Sequence, residues 1–188
     1  MKTLLAVLCT LFALAAHAAA EVAGVTFDDT AQVGERTLTL NGAGLRTKFF
    51  FKVYAAGLYL PQKADTTDAV LVHPGPKRID IETLRDLSAE QFTDALKEGL
   101  EKNLSAEALA ALRPEIAQFV GNLLAVQSVK EGTRIFIDYV PGAGTALTVS
   151  GQAAGEPVPG TTFFNALLRV WIGDKPAQDD LKQSLLGR

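Results

Sequence analysis

Apolar and polar residues along the chain switch between two rhythms, and the switches mark out the elements. The stretch from Glu21 to Thr30 reads as a strand ending at Asp28-Asp29, and Val33-Gly34-Glu35 as a turn. Arg36 to Leu40 alternates Arg36, Leu38 and Leu40 against Thr37 and Thr39, which predicts the next strand of a meander. The run that follows, NGAGLRTKFFFKVYAAGLYL from Asn41 to Leu60, is the centre of the pattern. Gly42 and Gly44 predict a tight bend or bulge, because glycine alone reaches positive φ cheaply. The bend throws Arg46 into the start of a long aromatic and β-branched strand. Strand alternation sends Lys52, Tyr54, Ala56 and Leu58 to one face, and Phe51, Val53, Ala55, Gly57 and Tyr59 to the other. Phe49, Phe50 and Phe51 then look to both sides of a strand, so both sides are expected to be covered. The small residues Ala55, Ala56 and Gly57 leave room for a packed helix or a ligand.

The later rhythm is mostly helical. Thr66 to Val72 predicts a short helix capped by Asp65 or Thr66 and stopped by His73-Pro74-Gly75-Pro76. Lys77 to Asp86 alternates as a strand with one wet face. Ser88 and Gln91 have the spacing of a capping box, and the helix they open runs to about Asn103 with Phe92, Leu96, Leu100 and Leu104 on its apolar stripe. Ser105 opens another helix, which Pro114 should kink or split. Arg134 to Val140 and Ala146 to Ser150 form a hairpin, and Gln152 to Val158 adds a short strand. Thr161 or Thr162 caps a helix carrying Phe163, Leu167, Leu168 and Trp171, ended by Gly173. A last helix spans Ala177 to Leu186, with Asp179 and Asp180 at its positive end. The order of strands, helices, strands, helices predicts an α+β fold with helices packed on one face of a largely antiparallel sheet.

Composition changes this picture at the N-terminus. Lys2, the apolar core Leu4 to Ala15 and the small-residue exit Ala16 to Ala20 read as a secretory signal peptide, residues 1–20, cleaved after Ala18 or Ala20. One domain, residues 21–188, is expected to remain. The single cysteine, Cys9, lies in the signal segment, so the exported domain would carry no thiol. Export without disulfides fits a bacterial periplasm. The formal net charge of −3, with acids and bases interspersed, provides no footprint for nucleic acid or an anionic membrane, and no later run is apolar enough to span one.

Catalytic signals are scarce. His73 is the one histidine outside the signal segment, so neither a histidine triad nor a multi-histidine metal site is expected. No phosphate-binding or dinucleotide fingerprint follows a strand, and no cofactor is expected. Asp179-Asp180 is explained by the helix N-terminus. Arg46 and Tyr54 stand apart. An arginine entering an apolar strand needs a partner, and a carboxylate suits its planar fork; that carboxylate belongs to the protein or to a ligand.

The run from Asn41 to Leu60, together with FFNALLRVWIGDKPAQDDLKQSLLG near the C-terminus, resembles the chalcone isomerase-like family and its exported bacterial branch. The resemblance implies an open-faced antiparallel sheet, a helical layer and a ligand cleft between them. It matches the family arginine to Arg46, which plant isomerases use on phenolate or flavanone oxygens. It places the isomerase strand threonine at Tyr54, the helical tyrosine and asparagine near Phe92 and Gly99, and the late threonine near Val170. The run Lys-Val-Tyr-Ala-Ala-Gly is similar to fatty-acid-binding members, in which the arginine and the strand tyrosine hold a carboxylate.

The expectation is a non-catalytic periplasmic protein holding a fatty acid or similar amphipathic carboxylate. Arg46 and Tyr54 would take the head group, and Phe92, Tyr59 and Trp171 would line the site. One alternative is a chalcone-isomerase-type intramolecular lyase working through Arg46. The other is a protein-interaction module with a collapsed cleft, an exposed apolar patch and Arg46 paired to an internal carboxylate such as Asp80 or Asp138.

Overall fold

A computed structural model describes residues 19–188, so the expected signal segment lies outside the described residues but for its last two positions. The chain begins with a small hairpin, β1 (Ala20–Val22) and β2 (Val25–Phe27), where a single strand was expected. The break comes at Ala23-Gly24, both at positive φ (54° and 89°). That is the backbone handedness a tight hairpin needs, and Ala23 hid it from a pattern reading.

β3 (Thr30–Val33) follows and pairs with β4 (Arg36–Lys48), and β4 pairs with β5 (Phe51–Leu60). β4 is the long strand of the fold. It continues through Gly42 and Gly44 with a bulge at Asn41, the bulge rather than the tight bend of the expectation and without positive φ at either glycine. The chain reverses at Phe49-Phe50. After α1 (Thr67–Val72) come β6 (Lys77–Thr83), the two-residue β7 (Leu87–Ser88) and α2 (Ala89–Asn103), with the expected capping box at Ser88 and Gln91. The proline splits the next helix into α3 (Ala106–Ala111) and α4 (Arg113–Ala125). β8 (Ser128–Val129) pairs with β7. β9 (Arg134–Val140), β10 (Gly144–Val149) and β11 (Gln152–Ala153) complete the sheet. α5 (Thr161–Ile172) and α6 (Asp179–Leu185) end the chain. Gly160 caps α5 rather than a threonine; the Thr161 hydroxyl is engaged by Tyr139 instead.

The main sheet is antiparallel, seven-stranded and ordered β11-β10-β9-β6-β5-β4-β3, which establishes the α+β class. One face carries Tyr54, Ala56 and Leu58 of β5, with Ile79, Ile81, Ile135 and Ile137 beside them, and is buried beneath the helices. α2 and α5 meet it with Leu96, Leu100, Phe163, Leu167 and Trp171. The opposite face is half covered. Phe27 and Val25 of the small hairpin pack on Leu38, Leu40, Ala55 and Tyr59. Beside that second apolar cluster lies an ion-pair layer, Arg78 with Asp138 and Arg134 with both Asp80 and Glu82.

Candidate functional site

A bulge in β4 decides which way Arg46 points. Leu40 pairs with Tyr59, but Gly42 already pairs with Leu58, so the register slips by one at Asn41. A slip of one residue moves every later side chain to the other face. Leu38 and Leu40 therefore face the small hairpin, whereas Gly42, Gly44 and Arg46 face the helices. Arg46 stands directly across from Tyr54 on the neighbouring strand. Asn41, the extra residue, is buried and anchors the bulge by donating to the carbonyls of Ala64 (2.9 Å) and Leu185 (2.7 Å).

The glycines serve close approach rather than a turn. A Cβ on Gly42 would lie 2.0 Å from the Ser184 carbonyl oxygen, and one on Gly44 2.6 Å from the Ser184 Cβ. α6 is thus laid directly on the β4 backbone, which brings its N-cap residue Gln178 to Arg46. Arg46 Nη1 donates to the Thr47 carbonyl (2.6 Å) and to Gln178 Oε1 (3.2 Å), and the same amide oxygen accepts from the Thr47 N–H (2.9 Å). Every one of these acceptors is neutral. Among the described residues no carboxylate lies within salt-bridge distance of Arg46. The internal partners considered from sequence are engaged elsewhere: Asp80 binds Arg134 and Asp138 binds Arg78, both on the opposite face of the sheet.

Tyr54 is buried, and its hydroxyl oxygen accepts the indole N–H of Trp171 at 2.9 Å. Burial pushes its pKa above the ordinary tyrosine value, while the Trp171 hydrogen bond and the nearby Arg46 charge pull part of the way back. The phenol is therefore neutral. Its own proton has no acceptor among the described residues. A buried donor left without an acceptor costs free energy until something accepts from it.

The other expected residues divide. Trp171 is buried, with its one donor spent on Tyr54, so it positions the hydroxyl. Phe92 is half-buried and packs at the edge of the helix-side core. The stripe of α2 is rotated from the expected one: Thr93, Leu96, Gly99 and Leu100 are buried instead of Phe92 and Leu104. Tyr59 does not belong to this site. It lies in the cluster beneath the small hairpin, donating its hydroxyl to the Asp28 carbonyl at 2.9 Å, as strand alternation from Tyr54 requires.

Sequence reasoning missed Gln178 and Thr93. Gln178 is brought in by α6 packing, which no local pattern announces. Thr93 has a buried hydroxyl with no partner among the described residues. Its signal was present as a polar residue in phase with Leu96 and Leu100. Gly99 faces Val170 so closely that a Cβ would lie 2.7 Å from the valine Cγ1. Two of the four positions where the isomerase resemblance looks for hydrogen-bonding groups thus form an apolar helix contact.

Two surface concavities, each about 460 to 470 Å³, lie away from this site. One is a groove between α2, α3 and α4 flanked by Lys97 and Arg113; the other adjoins Asn41 and Lys63 on the β4 side. Tyr54 itself is buried in one apolar cluster with Leu96, Leu100 and Trp171, and neither concavity is lined by Tyr54 or Arg46. No helix among the described residues is long and apolar enough to cross a membrane.

No curated protein matches the sequence. Among solved structures, a fatty-acid binding protein of Arabidopsis thaliana shares the fold at 15% identity with a TM-score of 0.67, covering 87% of this chain and 92% of its own. A family model described as chalcone isomerase-like matches residues 19–187. With the expected sheet, helical layer and arginine-bearing strand in place, the chain belongs to the chalcone isomerase-like family.

Proposed function

We propose that the protein is an exported, non-catalytic binder of a fatty acid or a similar amphipathic carboxylate, with its head-group site at Arg46 and Tyr54. One observation carries the reading. A half-buried arginine held only by neutral acceptors lies across from a buried neutral tyrosine whose proton is unspent. One carboxylate answers both, accepting from the guanidinium fork and from the phenol. The fold shared with a fatty-acid binding protein supports the same class of ligand. The tail would part α2 from the sheet, displacing Leu96 and Leu100 contacts, and each buried CH₂ would return about 0.8 kcal/mol. The head group sets orientation, and the tail supplies most of the affinity.

Export belongs to the proposal. Ala20 pairs with Phe27 in β1, so cleavage after Ala18 would keep that strand whole, whereas cleavage after Ala20 would shorten it. N-terminal sequencing of the periplasmic protein decides between them.

The test is native mass spectrometry with organic extraction of the protein purified from periplasm, beside Arg46→Ala and Tyr54→Phe. The expected result is a co-purifying acyl carboxylate that is lost in Arg46→Ala and reduced in Tyr54→Phe. A protein that is empty and takes up no added fatty acid would overturn the reading. Turnover of a chalcone abolished by Arg46→Ala would replace it with the lyase.

A further inference from the structure

The reversal between β4 and β5 exposes what the sequence pattern expected to be covered. Phe49, Phe50 and Phe51 form the tip of the hairpin, with relative exposures of 84%, 100% and 61%. Among the described residues the other exposed large hydrophobics are Val72 and Leu124, the latter in the groove between α2, α3 and α4. Single exposed hydrophobics are ordinary; a contiguous aromatic cluster marks an interaction surface. The turn itself is unfavourable as built. Phe49 sits at φ 57°, in the left-handed region where Gly or Asn is the inexpensive choice and a bulky side chain is an outlier. Neither folding nor solubility explains three phenylalanines there.

The cluster is collared by cations. Lys48 and Lys52 flank it, both exposed, and the Arg85 guanidinium lies 5.1 Å from the Phe51 ring centroid. Arg46 lies further down the same hairpin. Two acids near it are already engaged: Glu98 is paired to Lys102 and senses Lys48 and Arg46 more weakly, and Asp86, next to Arg85, is paired to Lys130. The overall charge of −3 conceals this local positive collar.

We propose that the β4–β5 tip is a membrane-docking finger that inserts Phe49, Phe50 and Phe51 into the interface of an anionic lipid bilayer, with Lys48, Lys52 and Arg85 on the head groups. The shape favours a lipid surface over a protein. The three rings expose roughly 500 Å² at the sizes typical of phenylalanine, short of the roughly 800 Å² per partner of a standard protein interface. A projecting finger needs a penetrable surface, and aromatic tips with lysine collars match the interfacial region of a bilayer, where ring bodies are apolar and ammonium heads reach lipid phosphates. The docking stands independently of what the head-group site holds.

The experiment is flotation of the mature protein with vesicles of phosphatidylethanolamine and phosphatidylglycerol (3:1), beside pure phosphatidylcholine vesicles. Binding is expected on the anionic vesicles, weakened at least tenfold by Lys48→Glu with Lys52→Glu and by raised salt. Replacing all three phenylalanines with serine is expected to lower partitioning about 100-fold. These side chains are exposed, and an unchanged circular dichroism spectrum and melting temperature confirm that the variants fold. A Phe50→Trp variant reads the geometry directly: its added emission shifts to the blue and is quenched by brominated lipid, while native Trp171 is buried. Absence of flotation on anionic vesicles at low salt overturns the proposal. So does flotation unchanged by the triple substitution, or a tip-dependent dimer in sedimentation without vesicle binding.

Discussion

Gly42→Ala is the sharpest perturbation of the arrangement that holds Arg46. The added Cβ would lie 2.0 Å from the Ser184 carbonyl oxygen, 3.0 Å from the Gly187 nitrogen and 3.1 Å from the Leu185 oxygen. All three are backbone atoms, so no side-chain rotation relieves the clash, and the C-terminal end of α6 must lift by more than an ångström. Overpacking a well-filled core costs roughly 1 to 3 kcal/mol, and a clash with backbone belongs at the upper end. Complete undocking of α6 would cost more. It would expose Leu181, Leu185 and Leu186, all buried, at about 1.5 to 3 kcal/mol each. The helix should therefore shift rather than detach, with a loss of about 3 kcal/mol. The paired control is Gly121→Ala, in the exposed interior of α4, where nothing lies within 4 Å of the new Cβ. There the substitution should stabilise by roughly 0.5 to 1 kcal/mol, because alanine restricts the unfolded chain and favours helix. Urea denaturation of the two variants beside the parent measures both. A loss under about 1 kcal/mol for Gly42→Ala would refute the claim that α6 is set by contact with the β4 backbone, and with it the derivation of how Gln178 reaches Arg46.

Three further outcomes follow from individual side chains. Phe49→Gly should raise stability by roughly 0.5 to 1 kcal/mol by relieving the left-handed phenylalanine, and a lower melting temperature would contradict that account of the tip. Lys77 is buried against the Tyr139 ring with no carboxylate within salt-bridge distance among the described residues, and burial pulls its pKa below the ordinary 10.5. Lys77→Met should therefore stabilise by about 1 kcal/mol near neutral pH. Between the lowered folded pKa and 10.5 the unfolded chain holds the extra proton, so parent stability rises with pH through that window and the advantage of Lys77→Met shrinks. Denaturation curves are best compared below about pH 10, because Tyr54 and Tyr59, both held above their ordinary pKa, reverse the sign beyond it. Ser88→Ala removes the capping-box acceptor of the Gln91 N–H and should cost about 1 kcal/mol, measured in the same way.

Local chemistry settles whatever depends on residues a few positions apart, and that much was legible in the sequence. The capping box at Ser88 and Gln91, the proline that splits α3 from α4 and the hairpin of β9 and β10 are each where the pattern put them. Alternation along β5 puts Tyr54 and Tyr59 on opposite faces, and the two lie in different cores, so the expectation that Tyr59 would line the Tyr54 site ran against the strand's own period. The errors cluster in β4, where the pattern is ambiguous. Gly42 and Gly44 read as a tight bend or a bulge; the bulge is there, but the close approach of α6, more than a hundred residues later in the chain, is what only the structure shows them to serve. The reversal then falls on Phe49-Phe50, which no turn propensity would choose, and three aromatic side chains expected to be covered from both sides are left in water. The bulge at Asn41 sends Arg46 to the helix side, and the Trp171 N–H comes across from α5 to occupy the acceptor of Tyr54. Residue types singled out Arg46 and Tyr54; which way Arg46 points, and that it meets only neutral acceptors among the described residues, were decided by contacts between elements far apart in sequence, which periodicity does not encode.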